Sequence, residues 1–239
     1  MKKYILGVLT LILIFGVVSL SYADWRSYVW TYEYQTMPQG AWELESYFTS
    51  IVPNLKKSSV NTLRPQLELE YGITNRWDVA MYQAYKINNK ASETDSKYDG
   101  FKIRTRYRFG EKGQFIIDPL IYLEYIRDPD FSKPNVIEGK LILAKDIGNL
   151  SISYNQIFER DLKNRGKTAF EYAVGLSYNV IPSLKIGVES KGSYSKRETA
   201  FGPTISWSKG KVWVGLGAVF GVNRRTNDLE GRMIAGFFF

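Results

Sequence analysis

The chain has no cysteine and no histidine. Without cysteine there is no disulfide, no thiolate metal site and no thiol for a lipid anchor. Without histidine the commonest general base, metal ligand and pH switch are missing together. Long apolar runs are scarce too. Past the amino-terminal stretch none approaches the ~18 consecutive apolar residues of a spanning helix, which excludes a helical membrane protein. No phosphate-binding loop or metal-ligand spacing is present, so no cofactor, metal or nucleic-acid partner is expected.

What is present begins with an export signal. Lys2 and Lys3 precede a nearly unbroken apolar run from Ile5 to Val18, and Ser21-Tyr22-Ala23 is a small-x-small cleavage site before Asp24. Residues 1–23 are therefore expected to be a signal peptide that forms no part of the fold. They carry two lysines and no acid, so their removal lowers the formal charge from +8 to +6. Aromatic side chains are abundant, with 17 Tyr, 13 Phe and 6 Trp, and tyrosine and tryptophan favour strands and membrane interfaces.

The organising pattern is alternation with a period of two. In Phe101-Lys-Ile-Arg-Thr-Arg-Tyr-Arg-Phe109 four cations share one face and Phe101, Ile103, Thr105, Tyr107 and Phe109 the other. Leu63-Arg-Pro-Gln-Leu-Glu-Leu-Glu-Tyr71 does the same with Arg64, Gln66, Glu68 and Glu70. The pattern repeats in segments of about ten residues, the length with which a tilted strand crosses a bilayer. Strands are expected near 41–53, 62–73, 77–89, 101–110, 115–127, 136–146, 150–160, 168–179, 184–195, 199–208, 212–223 and 231–239. Short connections alternate with longer ones, as periplasmic turns and outer loops do in a transmembrane barrel. The expected fold is an all-β, antiparallel up-and-down transmembrane β-barrel of about 12 strands over 41–239.

An even barrel leaves no place for residues 24–40. They are expected to be a periplasmic lead-in or a segment tucked into the lumen; the alternation of Trp30, Tyr32 and Tyr34 makes a transmembrane strand the rival reading. Pro65, Pro119 and Pro203 cannot donate to a ladder, and are expected near strand ends or bulges.

A lipid-facing cation costs ~2–4 kcal/mol near the midplane, so the charged faces must point inward. That lines the lumen with Glu43 and Glu45, then Arg64, Glu68, Glu70 and Asp78, then Lys102, Arg104, Arg106 and Arg108, then Asp118, Glu124, Glu138 and Lys140. The charges either set a transverse field across a channel or pair into a salt-bridged filling. The later strands turn small residues inward, among them Gly175, Ser177, Gly187, Gly202, Thr204, Gly215, Gly217 and Gly221. These leave space opposite the charged wall, or room for the amino-terminal segment.

The sequence ends Arg232-Met-Ile-Ala-Gly-Phe-Phe-Phe239, with Met233, Ala235, Phe237 and Phe239 on one face. This resembles the carboxyl-terminal assembly signal of bacterial outer-membrane barrels, which implies the barrel assembly machinery and outer-membrane lipids as partners and the cell outer membrane as location. Thr36-Met-Pro-Gln-Gly40, followed by Trp42-Glu-Leu-Glu45, also resembles the start of a broad family of outer-membrane barrels, some linked to aromatic-compound degradation pathways. That likeness implies a transporter-type barrel and carries no catalytic residues with it. The known outer-membrane barrel enzymes place a histidine in the catalytic constellation, so an enzyme is not expected. The leading expectation is a channel or transporter for small polar or anionic solutes. The alternatives are a non-conducting structural or binding barrel and a histidine-independent lipid-modifying enzyme.

Overall fold

The computed structural model describes residues 25–90, 92–163 and 166–239; the signal peptide expected over 1–23 lies outside them. Twelve strands follow one another along the chain. They are β1 (Trp42–Val52), β2 (Asn61–Thr74), β3 (Trp77–Asn89), β4 (Thr94–Arg108), β5 (Asp118–Arg127) and β6 (Val136–Ile147), then β7 (Leu150–Asp161), β8 (Thr168–Ile181), β9 (Leu184–Ser193), β10 (Glu198–Lys209), β11 (Val212–Gly221) and β12 (Leu229–Phe238). Each strand pairs antiparallel with its neighbours in sequence, and β12 pairs back onto β1 to close the barrel. Closure leaves no edge of unpaired backbone groups, the condition for a sheet to stand in hydrocarbon.

Burial follows the alternation. β1 reads exposed–buried over its first eight residues, with Glu43, Glu45, Tyr47 and Thr49 inside and Leu44 and Phe48 outside. The outer wall carries exposed Leu67, Met81, Ile103, Leu141, Ile205 and Leu216, a belt made for an apolar solvent. Near the short turns, Trp42 packs on Tyr71 with ring centroids 4.5 Å apart and stacks on Phe239 at 6.4 Å, while Trp77 donates to Thr105 at 2.7 Å. Aromatic rings with a polar tip suit the headgroup level. Among the described residues no helix is long and apolar enough to cross a membrane.

Two strand starts and the setting of two prolines differ from the sequence reading. β4 starts at Thr94 rather than near 101, because β3 and β4 continue as a two-stranded hairpin beyond the point where the β4–β5 ladder ends at Phe101 and Arg127. A bulge marks the change: the β3–β4 register shifts at Ala84 and Tyr85, and Gly100 takes φ +108° there, where a Cβ would lie 1.9 Å from the Arg127 carbonyl oxygen. β5 starts at Asp118, so the connection 109–117 is long although it belongs to the short-turn end. Pro119 sits at the start of β5 as expected, but Pro65 and Pro203 lie inside strands. The β2–β3 ladder skips Arg64 and Pro65, and the β10–β11 ladder skips Gly202 and Pro203, with unchanged register on either side. A missing donor is thus absorbed by a local gap rather than a bulge.

Candidate functional site

The lumen is most densely charged along β1–β6, and it is occupied. Antiparallel register sets Glu43 opposite Glu70 and Glu45 opposite Glu68 on β1 and β2. On β3 and β4, Asp78 faces Arg106 and Ala80 faces Arg104. The small Ala80 stands between Glu70 and Arg104, and the two long side chains meet across it. Arg104 Nη2 lies 2.8 Å from Glu68 Oε1 and 2.6 Å from Glu70 Oε2, all three residues being at least 97% buried. Arg106 donates through Nε to both Asp78 oxygens at 3.1 Å and through Nη2 to Asp78 Oδ2 at 2.8 Å and to Glu70. Tyr47 bridges Glu68 and Glu45 through its hydroxyl. Glu43 accepts from the Trp213 indole N–H.

Around the circumference the remaining charges separate. Lys102 pairs with Glu124 at 3.0 Å and Lys140 with Glu138 at 2.8 Å; Lys140 also stands over the rings of Tyr122 and Tyr32. Arg108 donates to Thr36 Oγ1 at 2.8 Å and to the Asn75 carbonyl. Asp118 accepts from the backbone N–H groups of Gly113 at 2.8 Å and Phe115 at 3.3 Å, and so holds the turn before β5. Arg64 is exposed at the long-loop half. Of the fourteen charged residues singled out as lumen-lining, the fold therefore gathers Glu68, Glu70, Asp78, Arg104 and Arg106 into one paired cluster. Lys102, Glu124, Glu138 and Lys140 form a second group.

Residues 25–37 fill the space beside that wall without regular secondary structure. Both ends of the segment lie at the short-turn end of the barrel. The Trp25 carbonyl accepts from Lys185 at 2.9 Å, and Gly40 N–H donates to the Gly72 carbonyl at 2.9 Å just before β1. Its middle reaches the centre of the strands. Asn155 binds both the N–H and the carbonyl of Tyr32, at 2.6 and 2.8 Å, and Ser153 donates to the same carbonyl at 2.6 Å. Glu189 accepts the N–H groups of Val29, Trp30 and Thr31 at 2.8, 2.9 and 2.8 Å. Ser206 donates to the Arg26 carbonyl at 2.6 Å, Arg232 to the Val29 carbonyl at 3.0 Å, and Met37 N–H to Asp78 at 3.0 Å.

The small inward residues make room for this segment. A Cβ on Gly175 would lie 2.5 Å from the Tyr28 ring, and one on Gly217 would lie 2.5 Å from Val29 and 2.9 Å from Trp30. Arg26 crosses to the acidic wall, donating to Tyr47 at 2.9 Å and lying 3.6 Å from Glu45. Below the crossing a cavity of about 210 Å³ remains, lined by Arg26, Glu43, Glu45, Glu70, Arg106 and Trp213 among others. At the opposite mouth, hydrogen bonds from Ser132 hold the Asp130 carboxyl below its ordinary range.

Glu189, Asn155, Arg232 and Tyr47 were not singled out from the sequence. Glu189 shares its strand face with Gly187, so alternation alone would have placed it inward. Its backbone partners carry no sequence signal. Among the described residues no group of histidine, cysteine or carboxylate side chains is placed to hold a metal ion.

No family model matches the chain, and no curated protein matches it. Solved structures do. The KdgM porin superimposes with a TM-score of 0.56 at 11% identity, over 82% of this chain and 98% of the porin. The KdgM porin in complex with disordered oligogalacturonate gives 0.56 at 9% identity over the same shares. The NanC porin in a rhombohedral crystal form gives 0.54 at 10%, over 83% of this chain and 99% of that one. The chain shares the barrel fold of these porins. At this identity the likeness is one of architecture, and the resemblance of residues 36–45 to barrels of aromatic-compound degradation has no family model behind it.

Proposed function

We propose that the protein is an outer-membrane channel for small polar or anionic solutes, held closed in this state by residues 25–37. The observation that carries the reading is a charged, closed twelve-strand lumen blocked by a segment that belongs to no strand. A wall built only to be filled has no need of a separate chain segment to fill it, and side chains from the strands would suffice. The porins that share this fold, one of them in complex with an acidic oligosaccharide, support a solute of that general kind. Arg64, Lys102 and Lys140 on the long-loop side would meet an anion before the segment does. Export to the outer membrane, contact with its lipids and delivery by the barrel assembly machinery belong to the same reading, with Met233, Ala235, Phe237 and Phe239 as the assembly signal.

A second reading, a non-conducting structural or binding barrel, is favoured by the number of hydrogen bonds that tie the segment to the wall. Planar-bilayer recordings separate the two. Protein lacking residues 25–37 is expected to give large, steady channel events, and the full chain rare or small ones. Silence from both would remove the channel reading. In the opened form, replacing Arg104 and Arg106 by glutamine is expected to move the reversal potential toward cation preference. An unchanged potential would show that these two cations do not face the permeating path.

A further inference from the structure

Glu189 is the lumen acid that accepts three backbone N–H groups from residues 25–37. It is 98% buried, and its carboxylate meets no cation within ion-pair distance among the described residues. Among the other buried acids, Glu45, Glu68, Glu70, Asp78, Glu124 and Glu230 face arginine or lysine, whereas Glu43 accepts from the Trp213 indole and Asp118 from two turn amides. A buried carboxylate without a counter-ion is costly unless hydrogen bonds hold its charge. Here three consecutive backbone N–H groups do so, those of residues 29–31. Successive amides converging on one anion form a nest, an arrangement that binds carboxylates and phosphates in general.

We infer that residues 29–31 are a carboxylate-binding nest and that Glu189, its resident, is the latch that keeps the segment in the lumen. The inference rests on the reading of residues 25–37 as a closure and names what holds it. Asn155 and Ser153 grip the same stretch from β7, but through neutral groups and at Tyr32 alone. Glu189 brings both carboxylate oxygens from β9 to three donors in the most buried part of the segment. Losing it takes the acceptor from all three, in residues that are at least 93% buried. Alanine at 189 removes CH2–COO⁻, the heavy atoms of acetate, and leaves a vacancy of that shape against the nest.

The test follows from that match of size. Full-length protein in lipid vesicles is treated with trypsin, and cleavage after Arg26, which is 92% buried in the closed state, is followed by mass spectrometry. Glu189→Ala is expected to speed cleavage by about tenfold or more, as loss of several buried hydrogen bonds would. Sodium acetate should restore protection, and sodium chloride at equal ionic strength should not. Glu189→Gln keeps one acceptor and fills the space, so it is expected to be cut faster than wild type yet to ignore acetate. The shift in gel mobility between heated and unheated samples verifies that each variant has formed its barrel. Wild-type protection in Glu189→Ala, or rescue by chloride as good as by acetate, would overturn the inference. If the protein lacking residues 25–37 is silent in bilayers, the channel reading fails while this readout stands unaffected.

Discussion

Arg104 illustrates what a single residue does in this lumen. Its guanidinium is 99% buried and serves Glu68 and Glu70 at once, with Asp78 Oδ1 at 3.9 Å. Removing one partner of such a cluster leaves uncompensated charge, which costs roughly 3–5 kcal/mol where a buried pair is broken. Arg104→Ala is accordingly expected to lower the unfolding free energy of the refolded barrel in urea by about 3–5 kcal/mol, whereas Arg104→Met combined with Glu68→Gln should recover much of the loss. Equal stability of Arg104→Ala and wild type would mean that water reaches the cluster. The inward direction of Arg104 was legible from alternation alone. Its partners were not, because pairing depends on register: one residue of slip would set Arg104 against different acids, and nothing local in the sequence fixes that choice.

At the scale of elements, the strands were legible wherever one face meets lipid and the other the lumen. The failure at β4 has the same cause in reverse. Thr94–Asp99 stands in water on both faces beyond the barrel rim, so Thr94-Asp-Ser-Lys-Tyr98 shows no alternation to read. The segment over 25–37 left two readings open for another reason. Trp30, Tyr32 and Tyr34 alternate like a strand, yet residues 26–31 are buried without a break, since the lumen surrounds them on all sides. Its fit against the small residues of β8 and β11 gives an element-scale prediction. Gly217→Val places a side chain where Val29 and Trp30 lie, while the neighbouring ladder bonds are untouched. The variant is expected to form a normal heat-shifting barrel but to raise channel opening and trypsin access at Arg26 together. A closed, protected variant would show that the segment repacks without leaving.

Over the whole molecule the decisive joint is the seam between β1 and β12. Everything else pairs with a neighbour in sequence, but this ladder joins residues nearly the full chain apart, from Glu43 with Phe238 to Val52 with Leu229. Contacts of that separation form late, because loop closure must precede them. Phe239 clamps the short-turn end of the seam by exchanging backbone hydrogen bonds with Trp42, at 3.0 and 3.4 Å, and by stacking on its ring. Phe239→Ala is expected to slow the appearance of the heat-shifted form in a refolding time course, with little change in the final barrel. A rate equal to wild type would place closure before the seam aromatics engage.

The wall and its filling make separable contributions. Every strand finds both neighbours without help from residues 25–37, so the backbone of the barrel is complete when they are removed. The lumen is another matter. Val29, Trp30 and Tyr34 belong to its two apolar clusters, and Arg26 is the cation nearest Glu45. Deleting the segment exposes the buried acids to water, which relieves their desolvation while forfeiting the packing of the rings. Protein lacking residues 25–37 is therefore expected to retain its heat-dependent gel shift and its strand signal in circular dichroism, but to melt at a lower temperature than the full chain. Raised salt should narrow that gap, because counter-ions can enter the open lumen and screen Glu43, Glu45, Glu68 and Glu70. If the shortened protein never yields the heat-shifted form, the segment is part of the folding core rather than a closure laid into a finished barrel. The gate would then have no open state to lead to.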